Sequence, residues 1–247
     1  MMELNICHLY PDVLNLYGDR GNVICMQKRL QWRGIDCNVE GISIGDKLEA
    51  SKYDLFFIGG GQDFEQGVLL SDLAGQKTAE IKAAIEDEKV FLAICGGYQI
   101  LGSYYKTWDG QQCDFLGALD LYTVGQKDRM IGNYMYECDD LGGTAVVGFE
   151  NHSGQTFLGD GVKPIGKVLS GYGNNGKDGY EGARYKNVYA TYSHGCLLPK
   201  NPAVADMLLG WALGRKYPGY TLPPLEDKLE NQAHKYMEER LRAAQNR

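Results

Sequence analysis

One cysteine stands where a buried strand turns into a helix. The continuously apolar segment Val90–Ile94 leads into Cys95, and Gly96 and Gly97 then precede a helical pattern. Two glycines permit a tight turn, so the thiol projects above the end of the strand. A helix N-terminus stabilises a thiolate, and only the thiolate attacks. Cys95 is therefore predicted to be a nucleophile; the alternative is a buried structural cysteine at a strand end.

A histidine ends a second strand-like segment. His194 follows Val188–Tyr192 after a single intervening serine. In sheets with parallel strands, ligands collect beyond the carboxyl ends of the strands, so Cys95 and His194 can meet at one edge. A base within reach of a thiol is the minimal arrangement that activates it. We therefore predict a catalytic Cys–His pair, although a histidine at a strand end without such a cysteine would be structural.

A run of glycines follows another buried strand. The apolar segment Leu55–Ile58 leads directly into Gly59–Asp63, which begins with three glycines. Three glycines after so apolar a strand favour a close approach of the backbone to a ligand over a plain flexible turn. The N–H groups of Gly60, Gly61 and Gly96 are therefore predicted to donate hydrogen bonds to an oxyanion of the substrate.

Strands and helices alternate through the first half of the chain. Strands at Leu4–Leu9 and Asp36–Ile44 flank a helical pattern that ends near Gly34. This order predicts an α/β fold, a three-layer sandwich with a mostly parallel central sheet. From about Leu119 to Tyr192, glycine-rich turns separate short strands, which predicts antiparallel additions to the same sheet. The candidate strands are Leu121–Val124, Ala145–Phe149 and Val188–Tyr192.

Length and charge bound the organisation of the protein. The 247 residues fit one domain over residues 1–215, with a C-terminal helical extension of the same domain over residues 216–247. The amphipathic stretch Leu225–Arg247 either packs on its own domain or offers a docking surface. The net charge of −7 argues against a nucleic-acid partner. A membrane span needs roughly 20 apolar residues, and neither that nor a signal peptide is found, so we expect a cytoplasmic protein.

The seven cysteines form no recognisable metal site or disulfide framework. Their number is odd, no C-x-x-C occurs, and the four histidines are far apart. The glycine-rich segment 161–167 mimics a phosphate loop, but Val168 stands where Ser or Thr should hold magnesium. A polar loop rather than a helix follows Gly171–Gly176. We expect no metal, no cofactor and no nucleotide-binding site in this chain, so any ATP-dependent step would lie on another polypeptide.

Several segments in a fixed order carry a family resemblance. They are Leu14–Asn22, Gly59–Asp63, Cys95–Gln99, Gly148–Gly154, Tyr192–Gly195 and Leu197–Pro202. Together they resemble the cobyric acid synthase-like (CobB/CobQ-type) class I glutamine amidotransferases over roughly the first 215 residues. Within that family they are similar to glutaminase subunits that work with a MurT-like subunit of the Mur ligase family.

The resemblance implies an activity and a role for particular residues. Cys95 would be the nucleophile and His194 the general base in hydrolysing L-glutamine to glutamate and ammonia. Arg129 matches a family arginine that binds the glutamine, whereas composition alone gives a solvated loop charge. His152 matches a family motif, and a structural hydrogen bond is an equal alternative. The implied assembly is a heterodimer in which the MurT-like subunit amidates the D-glutamate of the lipid II stem peptide during peptidoglycan synthesis.

Two features depart from related patterns. Ordinary class I amidotransferases follow the base with Pro-Glu, but His194 is followed by Gly195 and Cys196, so no carboxylate adjacent in sequence orients the imidazole. Members of the cobyric acid synthase-like group also have a Cys–His dyad without such a carboxylate. In the glutaminase subunits that this chain resembles, proline is expected at the Cys196 position. Two rival functions stay open: a DJ-1/PfpI-like cysteine hydrolase, which does not explain Gly148–Gly154, and a non-catalytic partner-binding subunit.

Overall fold

The computed structural model describes residues 2–61 and 69–245, and a mostly parallel sheet forms the centre of this part. Its strands lie in the order β11 (Ala183–Tyr185), β12 (Val188–Thr191), β4 (Val90–Ile94), β3 (Leu55–Ile58), β1 (Glu3–Leu9) and β2 (Asp36–Ile42). All neighbouring strands pair in parallel except β11, which is antiparallel to β12. Strands β3 and β4 are buried along their whole length, as expected for the middle of a parallel sheet. The predicted α/β fold is confirmed.

Helices connect and cover these strands. Within the described ranges they are α1 (Arg20–Gln31), α2 (Gln76–Glu86), α3 (Gly96–Ile100), α4 (Leu197–Lys200), α5 (Pro202–Lys216) and α6 (Lys228–Gln245), and residues 69–73 are also helical. Gly34 follows α1 with φ +68°, a conformation that glycine adopts without strain. Pro202 is the first residue of α5, where a missing N–H costs nothing. None of the described helices is long and apolar enough to cross a membrane.

Most of the later strands build a second sheet, whereas β12 and the antiparallel β11 extend the first sheet. The strands of the second sheet are β5 (Tyr104–Lys106), β6 (Gln112–Asp114), β7 (Leu121–Cys138), β8 (Thr144–Leu158), β9 (Gly166–Ser170) and β10 (Tyr180–Glu181). Strands β7 and β8 are 18 and 15 residues long and pair antiparallel. The short strands expected at Leu121–Val124 and Ala145–Phe149 are parts of these two. Polar residues and glycines interrupt the apolar alternation of both, and this hid their length in the sequence.

The C-terminal helix packs on this second sheet. Leu241 of α6 is buried in a small cluster with Met135 and Val147, and Met237 packs against the same cluster. Tyr236 is 64% exposed, on the part of the helix that faces solvent. One face of α6 therefore packs on its own chain, as one of the two interpretations of Leu225–Arg247 expected. The division into residues 1–215 and 216–247 stays a prediction.

Three neighbouring strands of the first sheet end at one edge. Thr191 of β12 lies beside Ile94 of β4, and Ile58 of β3 lies beside Ala93 of β4. Because these strands are parallel, the segments that follow them emerge together beyond their carboxyl ends. The glycine run, Cys95 and the loop to the predicted catalytic histidine are those segments.

Candidate active site

Cys95 occupies a strained turn between β4 and α3. Its backbone angles are φ +47° and ψ −101°, which a residue other than glycine adopts only where its surroundings impose them. Its N–H donates to the carbonyl of Thr191 at 2.8 Å. Gly97 permits this geometry, because a Cβ there would lie 2.6 Å from the carbonyl oxygen of Ile58. The arrangement is that of a nucleophile elbow, in which strain holds the reactive side chain above the strand.

His194 is fully buried and held from three directions. Its N–H donates to the carbonyl of Phe149 on β8 at 2.7 Å. Gly60 passes so close to the imidazole that a Cβ would lie 2.4 Å from Cε1. The ring of Tyr17 meets the imidazole edge-on with 5.0 Å between ring centroids. The backbone of His194 is therefore anchored on β8, and its imidazole is packed closely against Gly60 and Tyr17.

A carboxylate that the sequence analysis did not identify faces this imidazole. Asp19, fully buried just before α1, places Oδ2 at 3.3 Å from Nδ1 of His194, an ion-pair distance outside hydrogen-bond geometry. The same oxygen accepts the N–H of Gly60 at 2.8 Å. A carboxylate thus lies beside the predicted base, but it comes from the segment after β1 instead of from the residues next to His194. The only signal in the sequence was its place inside the matched segment Leu14–Asn22.

The charges around His194 favour its protonated form. Burial alone would lower its pKa, but the neighbouring Cys95 thiol and the Asp19 carboxylate together raise the pKa of His194 to about 10. Since Nδ1 faces Asp19, Nε2 is the nitrogen left for the thiol, and no other group in the described ranges bonds to it. An imidazolium beside a cysteine and a carboxylate suits protonation of a leaving group.

The three glycines predicted to bind an oxyanion are not equivalent. The N–H of Gly60 is engaged by Asp19, so this group is not a free donor here, contrary to expectation. Gly61 is buried at the end of the same run, and Gln62 and Asp63, which complete the motif, lie outside the described residues. Gly96 is the first residue of α3, where an N–H has no acceptor within the helix.

Comparison with known proteins decides the family. A CobB/CobQ-like glutamine amidotransferase domain matches residues 5–202. The chain belongs to the CobB/CobQ-like glutamine amidotransferase family. It is therefore a glutamine amidotransferase, and this membership favours amidotransferase chemistry over that of a DJ-1/PfpI-like hydrolase.

Members of this family with curated names are similar over most of the chain. The lipid II isoglutaminyl synthase (glutamine-hydrolyzing) subunit GatD of Staphylococcus aureus (strain N315) is 42% identical over 240 residues, which cover 97% of both chains. The GatD subunit of Streptococcus pneumoniae is 41% identical over 232 residues, covering 93% of this chain and 88% of the relative. A cobyric acid synthase of Pelotomaculum thermopropionicum is 30% identical over 189 residues, but they cover only 35% of that longer protein.

Solved structures agree with the fold. PurLQS from Thermotoga maritima superposes with a TM-score of 0.55 at 17% identity, over 95% of this chain and 99% of the other. The glutaminase domain of Trypanosoma brucei CTPS with bound acivicin gives 0.54 at 11% identity, over 89% and 96%. At such identities the likeness concerns the fold alone.

The family arginine expected at position 129 lies on β7 and not in a loop. Nε and Nη2 of Arg129 donate to the side-chain and backbone oxygens of Asn151 at 2.8 and 3.0 Å. The amide of Asn151 donates in turn to the hydroxyl of Tyr17, whose ring contacts His194. Asn151 and Tyr17 therefore link the exposed guanidinium of Arg129 to the imidazole of His194.

His152 and Cys196 have surroundings of their own. His152 donates from Nδ1 to the carbonyl of Gly154 at 2.7 Å, and its ring stacks on Tyr192 with 3.5 Å between centroids. These contacts match the alternative of a structural hydrogen bond, and they place His152 against Tyr192, two residues before His194. The thiol of Cys196 donates to the carbonyl of Gly18 at 3.0 Å, so it faces the turn before α1.

Proposed function

We propose that this protein is the glutaminase subunit of a lipid II isoglutaminyl synthase. It hydrolyses L-glutamine to glutamate and ammonia and supplies the ammonia to a MurT-like, ATP-dependent partner. That partner amidates the D-glutamate of the lipid II stem peptide in the cytoplasm during peptidoglycan synthesis. The observation that carries the proposal is the buried Cys95–His194–Asp19 arrangement in a chain so similar to two GatD subunits along almost its whole length.

The first chemical step is attack by the thiolate. His194 holds the proton taken from Cys95, and the sulfur attacks the side-chain amide carbon of glutamine, forming a C–S bond. The carbonyl electrons move to oxygen, and the resulting oxyanion accepts hydrogen bonds from the N–H groups of Gly61 and Gly96. Asp19 keeps the imidazole oriented and stabilises its positive charge.

The second step releases ammonia. His194 gives its proton to the amide nitrogen, the C–N bond breaks, and a γ-glutamyl thioester remains on Cys95. Water then attacks the thioester while His194 takes a proton from it. The C–S bond breaks, glutamate leaves, and the Cys95 sulfur takes its proton back from the imidazolium. The cycle needs no metal and no cofactor.

Delivery of ammonia is the reason for a partner. Ammonia is mostly protonated at neutral pH, and ammonium is not a nucleophile. A glutaminase that serves an amidation therefore has to pass ammonia to an activated carboxyl group before solvent protonates it. We assign the ATP-dependent activation of that carboxyl group to the MurT-like subunit, in a heterodimer with this chain.

Reconstitution tests the proposed function. The purified chain is incubated with glutamine, ATP, magnesium and lipid II, with and without the MurT-like partner, and amidated lipid II is measured by mass spectrometry. We expect amidation only with both subunits. Amidation without the partner would contradict the proposal, as would a partner that uses glutamine equally well alone.

Arg129, which Asn151 and Tyr17 link to His194, gives a second prediction. If Arg129 binds the α-carboxylate of glutamine, Arg129→Ala removes a charge-assisted hydrogen bond. We expect kcat/KM for glutamine to fall about ten-fold or more, corresponding to about 1.4 kcal/mol. Lys127→Ala is the matched control, because Lys127 lies two residues away and its ammonium sits over the ring of Trp108. If kcat/KM for glutamine is equal in the two variants, Arg129 does not bind the substrate and is an ordinary solvated charge.

A further inference from the structure

A polar cavity is lined by Asn15 and Arg20, residues of the segment that carries Asp19. It is half-open, has a volume of about 660 Å³, and is enclosed by α1, the carboxyl ends of β1 and β2, and the loop after β1. We call it the β1 cavity. Its volume is within the range of small-molecule sites, and carboxyl ends of parallel strands are where such sites form. Neither the Cys95 nucleophile nor His194 lines it.

A buried histidine without a hydrogen-bond partner lines this cavity. His8, the penultimate residue of β1, is 4% exposed, and its Nε2 has no partner in the part of the chain that the structure describes. Burial and the nearby Arg20 lower the pKa of His8 to about 4, so the imidazole is neutral near pH 7. A neutral imidazole offers one donor and one acceptor. A buried polar group left unpaired costs free energy, which a ligand in the cavity would recover.

Charges of both signs stand on the rim. Arg20 lines the cavity, and among the residues described its guanidinium forms no ion pair. The carboxylate of Asp12 lines it too and keeps one oxygen beyond the one that accepts the hydroxyl of Ser43 at 2.8 Å. Val23 and Val39 supply an apolar wall. A cation, an anion and an apolar wall together match a small zwitterion with an aliphatic body.

We propose that the β1 cavity binds an amino-acid-type zwitterion, either a free α-amino acid or a short peptide. The carboxylate lies on Arg20, the ammonium lies on Asp12, and His8 hydrogen-bonds the ligand from the floor. This inference goes beyond the proposed function, since it concerns a binding site that neither Cys95 nor His194 lines.

Hydrogen bonds in the turn between the β1 cavity and the active site connect such a ligand to Asp19. The N–H of Arg20 donates to the side chain of Asn15 at 2.9 Å, and Asn15 also lines the cavity. The N–H of Leu16 donates to the carbonyl of Gly60 at 3.0 Å, and Asp19 accepts the N–H of Gly60. A ligand that holds Arg20 therefore stiffens the turn that presents Asp19 to the catalytic histidine.

Binding is tested by ¹H–¹⁵N chemical-shift titration of the full chain with three probes. L-Leucine stands for a free amino acid, L-leucyl-L-leucine for a peptide, and isocaproate is leucine without its ammonium group. We expect shifts of backbone amides in residues 8–27 with at least one zwitterionic probe, and an affinity about ten-fold lower for isocaproate. Which zwitterion binds more tightly distinguishes the two sources.

Variants decide whether the shifts report the β1 cavity. Arg20→Gln is expected to weaken binding of the zwitterion about ten-fold or more, and His8→Phe to weaken it independently. Lys28→Gln, a charge removal on the same helix outside the cavity, is expected to change nothing. No shifts with either zwitterion, equal affinity for isocaproate, or unchanged affinity in Arg20→Gln would overturn the proposal. These readouts need no glutaminase activity, so their failure is distinguishable from failure of the proposed function.

Discussion

Cys95→Ala is expected to abolish glutamine hydrolysis while leaving the fold intact. The thioester cannot form without the sulfur, and loss of a catalytic nucleophile costs a factor of roughly 10⁶ in kcat. Alanine keeps the Cβ and removes one buried atom, so the strained turn at φ +47° is unchanged. The measurement is glutamate release with and without the MurT-like partner, together with a thermal unfolding curve for the folded state.

Cys196→Ala is the matched control for that experiment. The Cys196 thiol donates to the carbonyl of Gly18, and burial raises its pKa, so it is a poorer nucleophile. Activity within about two-fold of wild type is expected, well inside the effect of a catalytic group. An equal loss in both variants, or substantial activity in Cys95→Ala, would mean that the nucleophile has been assigned to the wrong thiol.

Asp19→Asn is expected to have the next largest effect, a fall in kcat of roughly 100-fold. The corresponding change in a Ser-His-Asp triad costs about 10⁴-fold, and a thiol, which is a stronger acid than a serine hydroxyl, depends less on a third group. The Asp19 carboxylate helps to raise the pKa of His194, so its loss lets that pKa fall. Because the imidazolium form of His194 is lost as pH rises through this pKa, the alkaline limb of the rate profile should move to lower pH.

A purely structural role of Asp19 would not shift the alkaline limb of the pH–rate profile. Asp160→Asn, which changes an exposed carboxylate in the turn after β8, is the control and should leave the profile where it is. A profile for Asp19→Asn that is lower in rate but unshifted in pH would contradict an electrostatic role for Asp19. Thermal unfolding of both variants separates a loss of folded protein from a loss of rate.

The strand ends of the site could be predicted because their signals are local. An apolar run followed by Cys95 and two glycines, and another followed by His194, each fit in about eight residues. Parallel pairing then places their carboxyl ends at one edge without further information. The contact between the two strands in the structure, Thr191 beside Ile94, follows this expectation.

The contacts of Asp19 with His194 and with Gly60 could not be predicted in the same way. Asp19 meets His194 across 175 positions of sequence, and nothing near either residue specifies the contact. Gly60 looked like an oxyanion donor because its N–H was assumed to be free, but Asp19 accepts it. Such contacts depend on how the segment after β1 folds back over the sheet edge.

The second sheet was hidden for a related reason. Strands β7 and β8 are stabilised mainly by each other, and their pairing shifts register between Gly125 and Met130. Within that irregularity the sequence is polar, so Arg129 looked like a loop residue although it belongs to β7. Partner strands, rather than intrinsic propensity, decide such segments.

Trapping of the nucleophile tests the central claim most directly. The full chain is treated with diazo-oxo-norleucine, an electrophilic glutamine analogue, and the adduct is located by peptide mass spectrometry. We expect a single adduct on Cys95, suppressed by excess glutamine and absent from Cys95→Ala, with Cys196 unmodified. An adduct on another cysteine, or an unlabelled Cys95 in a preparation that hydrolyses glutamine, would contradict the account.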